Sequence, residues 1–226
     1  MKKRYILVEF LIVFLLLVLP PLFVTKGHGL SQGGTFSPAV AFQLLIAVAL
    51  YLQLAYLKKK EGGTSDTALP KNAVFIKSLF WFSITLGCLM LVFALMQAIS
   101  LIVDKEALAD PFMPDTDSVF AWLFIIFTVA TGAFYEEVIY RQFIPDFLQK
   151  LVDSEKRKRL CFYGRELFAL AVFAFAHRYL GWIPVLNSFI CGIILRLCCR
   201  RTGSVVTGAT AHFVYNTTLV AFYALS

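Results

Sequence analysis

The sequence predicts an all-α fold, a polytopic membrane helix bundle with about seven transmembrane helices. Of its 226 residues, 59% are hydrophobic and 15% are charged, and the mean hydropathy is +0.77. A soluble domain is nearer half apolar and a quarter charged. Apolar runs of about 20 residues, the length that crosses a bilayer, recur along the chain between short charged connections. The whole chain is therefore expected to form a single membrane domain, 1–226.

The N-terminal half predicts three spans. A basic start is followed by an apolar stretch, 5–24, that is longer than the apolar core of a signal peptide and has no small-x-small cleavage site after it. It predicts a first, uncleaved span that bends at Pro20 and Pro21, with Glu9 solvated one turn inside. The second and third spans are expected at 38–57 and 74–103.

The C-terminal half predicts four more spans. The fourth begins near Ser118, and Pro145 is expected to end or kink its helix. The charged segment 150–166 is expected on the membrane surface, where its basic run 156–159 would face anionic lipid. The last three spans are expected at 167–180, 183–199 and 204–225.

The basic residues predict the orientation of these spans. The net charge is +7, but the Lys and Arg residues are spread over short connections and form no patch for nucleic acid. Of the 21, all but Lys26, Lys105, Arg178 and Arg141 lie in connections that share one side if the N-terminus is cytoplasmic. By the positive-inside rule the N-terminus is in the cytoplasm and the C-terminus outside, in the inner membrane if the source is bacterial.

Three charged residues follow the apolar run of the fourth span directly. Placing an ionised side chain at the centre of a membrane helix costs roughly 2.5–3.5 kcal/mol of insertion free energy. Three such residues in one span therefore indicate a functional role. Glu137 and Arg141 are i,i+4 and can pair, whereas Glu136 points about 100° away. The hypothesis is that Glu136 is the working carboxylate and that Glu137 and Arg141 support the site. The alternative is that all three mark a helix end at the membrane surface.

Two other spans carry polar residues that suit such a site. His177 is expected on the fifth span, and His212 and Asn216 share one face of the seventh. Buried polar groups in lipid need one another or water, which predicts a shared cavity between the C-terminal four spans. A lone histidine on an apolar helix is more often a satisfied core residue, and that alternative stays open for each one.

These residue types suit hydrolysis by water. A carboxylate beside a neutral imidazole can take a proton from water, and a second histidine and an amide can donate to a developing oxyanion. Glu136, His177 and His212 also match a three-ligand zinc site with one open position. No HExxH and no GxSxG sequence is present, so neither a zincin helix nor a nucleophile elbow is predicted.

Three short motifs resemble those of the CAAX protease and bacteriocin-processing family. This family, also called Abi, includes the Ras-converting CAAX endopeptidase. The motifs are Glu136-Glu137-x-x-x-Arg141, Phe173-x-x-x-His177 and His212-x-x-x-Asn216, and the connector 201–206 is similar too. The resemblance covers about residues 118–220, so 118–226 is the expected catalytic core and 1–117 holds three spans without a match.

The resemblance implies an intramembrane endopeptidase. Glu136 and His177 would activate water, His212 and Asn216 would stabilise the oxyanion, and Glu137 and Arg141 would brace the site. The family is often labelled metalloprotease, but a metal-free glutamate mechanism uses the same residues, so Zn²⁺ or another divalent metal and no metal are both compatible. The implied partners are membrane lipid and a peptide or lipidated, including prenylated, protein substrate.

Two other functions stay open on the sequence. A non-catalytic membrane scaffold or bacteriocin-immunity protein would keep the family bundle and lose the chemistry. A transporter or proton relay could use Glu136 with His177, although no pair of broken helices appears in matching halves. Along an ideal helix from Ser118, Glu136 lies about 27 Å in, whereas His177 is about 15 Å from the same membrane edge. This mismatch predicts a cavity that opens to the cytoplasm.

Overall fold

A computed structural model describes residues 3–24, 38–60, 70–103, 118–152 and 157–225. Within these ranges the protein is helical and has no strand. The Gly-rich connection 27–34, the acidic connection 104–117 and Lys156 lie outside the described residues. The α-helices are α1 (Lys3–Val13), α2 (Pro38–Lys60), α3 (Lys71–Val103), α4 (Val119–Glu136), α5 (Ile144–Val152), α6 (Lys158–Phe175), α7 (Trp182–Thr202) and α8 (Val205–Leu225).

The predicted polytopic helix bundle is confirmed. Five helical segments are long and apolar enough to cross a membrane: Lys3–Phe23, Pro38–Lys60, Lys71–Ile99, Val119–Val152 and Trp182–Thr202. The α8 helix is also 21 residues long, but histidine, asparagine and threonine side chains lower its hydropathy. The α8 helix brings the buried His212 into the bundle, and the segment after α4 brings the buried Glu137 and Arg141.

The first span bends earlier than its prolines. After α1 the chain widens into a π-helical turn, Phe14–Val18, in which the Leu19 N–H donates to the Phe14 carbonyl at 2.8 Å. A 3₁₀ turn, Pro20–Phe23, follows. Glu9, which is expected to be solvated, is half-buried, and its carboxylate also accepts a hydrogen bond from the Gln53 side chain of α2. Such a polar pair links two neighbouring spans.

The fourth span continues well past its two glutamates. The Ser118 hydroxyl accepts from the Ala121 N–H at 3.1 Å and caps α4, as a serine at this position favours. Beyond Glu136 the backbone forms a π-helical segment, Glu137–Phe143, and then α5. Pro145 does not end the helix, because it lies in the first turn of α5, where a missing N–H is tolerated. Glu136 is thus near the middle of one long helical stretch, which removes much of the depth mismatch expected from the sequence.

The predicted surface segment 150–166 is helical in its second half, where residues 157–165 are exposed or half-buried and Glu166 is buried. The α6 helix already begins at Lys158 and ends at Phe175, so the fifth helix starts and stops earlier than the expected span 167–180. Glu166 is 9% exposed and binds Arg196 of α7 through two hydrogen bonds of 2.6 and 2.7 Å. This ion pair compensates the charge of Glu166 at the point where the exposed first half of α6 gives way to its buried half.

The site is built where α8 and the π segment meet. The α8 helix packs against α3, α4 and α7, and it also contacts the π segment. Gly203 ends α7 with a positive φ of 72°, which glycine adopts without strain, and its N–H donates to the Cys199 carbonyl. Val138, Ile139 and Phe143 of the π segment are fully buried in the larger apolar core. The glutamates are therefore held by the best-packed part of the chain.

Candidate active site

Glu137 and Arg141 form a buried ion pair. Glu137 is fully buried and Arg141 is 1% exposed, and the Glu137 Oε1 atom lies 3.4 Å from the Arg141 Nε atom. The contact is the i,i+4 pair expected from the sequence. The Arg141 guanidinium also lies 3.8 Å from the centre of the Phe173 ring, a cation–π contact. The charge of this arginine is thus balanced by one carboxylate and one aromatic face.

His212 lies between the two glutamates. Its Nδ1 atom is 3.1 Å from Glu137 Oε1, within hydrogen-bond distance, and its Nε2 atom is 3.9 Å from Glu136 Oε2. An ionised carboxylate only accepts hydrogen bonds, so with Glu137 ionised the Nδ1 atom carries the proton. The Nε2 atom then faces Glu136, and its protonation decides whether it donates or accepts there. Glu137 thereby fixes the orientation and the tautomer of the imidazole.

Glu136 occupies a different environment from its neighbour. Its side chain is 28% exposed, whereas that of Glu137 is completely buried. Neighbouring positions on a helix point in different directions, so one carboxylate faces Arg141 and the other faces accessible space. The two adjacent glutamates are therefore not equivalent, and of the two only Glu136 has accessible surface.

His177 is connected to the site through Phe173. The two rings pack edge to face with centroids 4.8 Å apart, and His177 Nδ1 is 2.9 Å from the Phe173 carbonyl oxygen. A carbonyl can only accept, so Nδ1 carries the proton and the neutral ring keeps a lone pair on Nε2. His177 lies just after α6 in a turn, not inside a span as expected. Asn216, half-buried, lies one turn beyond His212 on α8.

Tyr179 is near the site and was not expected from the sequence. It belongs to the 3₁₀ turn Arg178–Leu180 between α6 and α7. Burial raises the pKa of Tyr179, and the negative charge of Glu136 raises it further. The turn after His177 therefore lies within electrostatic reach of Glu136. A tyrosine in a short connection has no helical periodicity that would have singled it out.

Two glycines make room for the ion pair. A methyl group at Gly208 would lie 3.3 Å from Glu137 Oε2, and one at Gly192 would lie 3.1 Å from Leu170, 3.3 Å from Phe173 and 3.6 Å from Arg141. Both contacts are tighter than ordinary van der Waals packing. Gly208 is one turn before His212, a small-residue spacing too frequent in membrane helices to be informative on its own.

The expected metal ligands do not form a cluster in this conformation. Among the described residues, no three side chains of the His, Cys, Asp or Glu type are grouped closely enough to hold a metal ion. Glu136 and His212 are 3.9 Å apart, but His177 does not complete a three-ligand set with them. As arranged, Glu136, His177 and His212 do not fit the expected zinc site, because a catalytic zinc site needs three protein ligands on one ion.

A cavity of about 460 Å³ lies beside this arrangement. It is lined by residues of α2, the π segment, α5, α7 and the start of α8, including Arg141. Glu136, His177 and His212 are not among its lining residues. This cavity is therefore distinct from the one expected between the C-terminal four spans, which stays a prediction.

Comparison with known families supports the motif assignment. Residues 118–218 match the family model described as type II CAAX prenyl endopeptidase Rce1-like. The match spans the three motifs and all six residues that the sequence analysis selected. Searches of curated proteins and of solved structures found no match. The resemblance seen in the sequence is therefore confirmed over residues 118–218, which match the model of a protease family and lie in a membrane helix bundle.

Proposed function

We propose that this protein is an intramembrane endopeptidase that cleaves membrane-associated substrates, including prenylated chains with a CAAX C-terminus. The observation that carries the proposal is the contrast between the two adjacent glutamates. Glu137 is buried and engaged with Arg141 and His212, whereas Glu136 is 28% exposed and faces the other side of the same imidazole. A carboxylate that is accessible and ordered by a neighbouring histidine suits a general base.

In the proposed reaction Glu136 accepts a proton from water while the water oxygen attacks the scissile carbonyl carbon. His177, whose Nε2 atom keeps a lone pair, hydrogen-bonds the same water and orients it. The carbonyl oxygen becomes an oxyanion that accepts hydrogen bonds from protonated His212 Nε2 and from the Asn216 amide. When the intermediate collapses, the C–N bond breaks, and Glu136 returns the proton to the leaving amine.

Glu137 and Arg141 support the site and do not touch the substrate in this scheme. Glu137 holds His212 through Nδ1, which favours a proton on the opposite nitrogen when the oxyanion develops. Arg141 pairs with Glu137 and compensates its negative charge inside the bundle. The scheme needs no metal ion. A metal-dependent version would need His177 to move until it shares one ion with Glu136 and His212.

The test is cleavage of a farnesylated CAAX peptide by the purified protein. Glu136→Gln and His212→Ala are expected to lower kcat by about 10²–10⁴-fold, with unchanged expression. Glu9→Gln is the matched control, since it removes an intramembrane carboxylate that contacts Gln53 far from the site in sequence. Wild-type rates in both site variants would exclude the protease function and leave the scaffold or immunity function.

Treatment with a chelator distinguishes metal-free hydrolysis from metal-dependent hydrolysis. The assay is run before and after treatment of the purified protein with EDTA and with 1,10-phenanthroline. The metal-free scheme predicts full activity after treatment. Loss of activity that is restored by Zn²⁺ or another divalent metal would replace this scheme with the metal-dependent one.

We also propose that the N-terminus is cytoplasmic and the C-terminus is outside. Lys58, Lys150 and Arg200 come from three connections expected on the inner side, and all three line the same cavity. Their proximity supports placing these helix ends on one side of the membrane. Reporter fusions at residues 60, 152 and 226 test this orientation, which predicts a cytoplasmic signal at the first two and an external signal at the third.

A further inference from the structure

The 460 Å³ cavity beside the site is rich in cationic side chains. Five basic residues and one acidic residue line it, together with amide and apolar groups. The basic residues come from α2, the π segment, α5 and α7, which are far apart in the chain. They are Lys58, Arg141, Lys150, Arg196 and Arg200, and the acidic residue is Asp146.

Two of these cations are matched by carboxylates behind the cavity wall. Arg141 pairs with Glu137, and Arg196 binds Glu166 through both of its carboxylate oxygens. Lys58 and Arg200 add two further positive charges to the described lining, against the one carboxylate of Asp146. Like charges in one concave site raise the local positive potential and favour an anionic ligand. The charges of the described lining thus favour an anion with a single negative charge.

The cationic wall is also held in place. Besides its two bonds to Glu166, Arg196 donates a hydrogen bond from Nη1 to the Arg141 carbonyl oxygen. Arg200 lies 4.6 Å above the centre of the Phe162 ring. A guanidinium fixed by such contacts loses little conformational entropy when it binds a ligand. These contacts hold the guanidinium groups of Arg196 and Arg200 in place in the cavity wall.

The position of the cavity at the ends of three helices indicates which kind of anion it binds. Lys58 is in the last turn of α2, Arg200 is in the last turn of α7, and Val205 is the first residue of α8. Helix ends of membrane spans lie at the height of the lipid headgroups. Leu54, Leu57 and Val205 add apolar wall beside the basic groups, as a ligand with a phosphate next to glycerol and acyl carbons requires.

We propose that this cavity binds the phosphate of an acidic phospholipid headgroup. The N-terminus of α8 adds partial positive charge at one end of the site, which favours the phosphate further. Basic pockets between membrane helices on the cytoplasmic side are typical sites for anionic headgroups. The proposal is independent of the proposed protease function, because it concerns binding alone.

The test uses the full chain in nanodiscs of phosphatidylcholine with or without phosphatidylglycerol. Native mass spectrometry measures which lipid is retained, and thermal unfolding measures its stabilising effect. The double variant Lys58→Gln with Arg200→Gln is expected to retain phosphatidylglycerol about thirtyfold more weakly. The control is Lys59→Gln with Arg201→Gln, which removes the same charge from the same two helix ends outside the cavity lining.

Selective loss in the first variant, with wild-type binding in the control and equal unfolding temperatures in pure phosphatidylcholine, is the expected result. Equal losses in both variants would show a diffuse surface attraction and overturn the proposal. Inorganic phosphate that stabilises the protein as much as phosphatidylglycerol would identify free phosphate as the ligand and overturn the lipid assignment. Displacement of phosphatidylglycerol by a peptide with a free C-terminal carboxylate would do the same in favour of a peptide.

Discussion

The Nδ1 atom of His212 lies 3.1 Å from the Oε1 atom of Glu137, although 75 residues separate the two in the chain. The same oxygen is 3.4 Å from Arg141 Nε. One buried carboxylate oxygen therefore joins the π segment, the guanidinium and the imidazole of α8. The position of His212 depends on a glutamate that is itself inaccessible to substrate.

Glu137→Gln is expected to destabilise the protein strongly, whereas Glu136→Gln is not. Removal of the Glu137 charge leaves Arg141 buried without its anionic partner, which costs about 3–5 kcal/mol. Glu136 is partly exposed, so its neutralisation leaves no uncompensated buried charge. Thermal unfolding in detergent measures both effects. A similar unfolding temperature for the two variants would contradict the assignment of Glu137 as the structural carboxylate.

The charges of Glu137 and Arg141 are expected to be strongly coupled in a double-mutant cycle. Arg141→Met alone leaves a buried carboxylate with only His212 beside it, whereas the double variant with Glu137→Gln removes both charges. The double variant is therefore expected to be more stable than the sum of the single effects predicts, by about 0.5–3 kcal/mol. Additive losses would mean that the two groups do not interact in the membrane.

Gly208→Ala is expected to lower activity more than stability. The added methyl group would press on Glu137 Oε2 at 3.3 Å and shift the carboxylate that holds His212. The matched control is Gly132→Ala on α4, where nothing lies within 4 Å of the added carbon. The control is expected to be neutral or to stabilise by about 0.5–1 kcal/mol. The measurement is peptide cleavage together with thermal unfolding, and equal activities would contradict the prediction.

Phe173→Leu is expected to loosen both Arg141 and His177. The Phe173 ring contacts the guanidinium at 3.8 Å and the His177 ring at 4.8 Å, and leucine provides neither contact. Loss of a desolvated cation–π contact costs about 2 kcal/mol. Phe175→Leu on the same helix is the control, because Phe175 is 46% exposed. Unfolding temperature and kcat are measured for both, and equal values would exclude this bridging role.

The sequence predicts the helical elements well because a segment that crosses the bilayer must be an apolar helix of a defined length. Apolar runs near 20 residues predict spans, and the start of the fourth helix at Ser118 follows from its capping chemistry. The ends of the fifth helix were wrong because charge alone places Glu166 at a surface. Its partner Arg196 lies 30 residues away, and no local pattern reveals that they form a pair inside the bundle.

The site is predicted by residue type more than by geometry. The presence of charge inside an apolar span identifies Glu136, Glu137 and Arg141 as candidates. The i,i+4 spacing correctly predicts that Glu137 pairs with Arg141. The bond from Glu137 to His212 could not be predicted, because it depends on the relative rotation of two helices that pack only in the folded bundle. The nearness of Tyr179 to Glu136 also depends on tertiary structure, since it arises from a turn and not from a helix face.

The π-helical segment Glu137–Phe143 has a consequence for insertions and deletions in this part of the chain. A π turn closes its hydrogen bonds over one residue more than an α turn. Shortening 137–143 by one residue would convert the segment to ordinary α geometry and leave the helix downstream in nearly the same phase, whereas the same deletion inside α4 would rotate everything downstream by about 100° about the helix axis. Phe147 would then stay in the core, so this heptapeptide is the part of the helix expected to tolerate the loss of one residue without moving the anchoring helix relative to the glutamates.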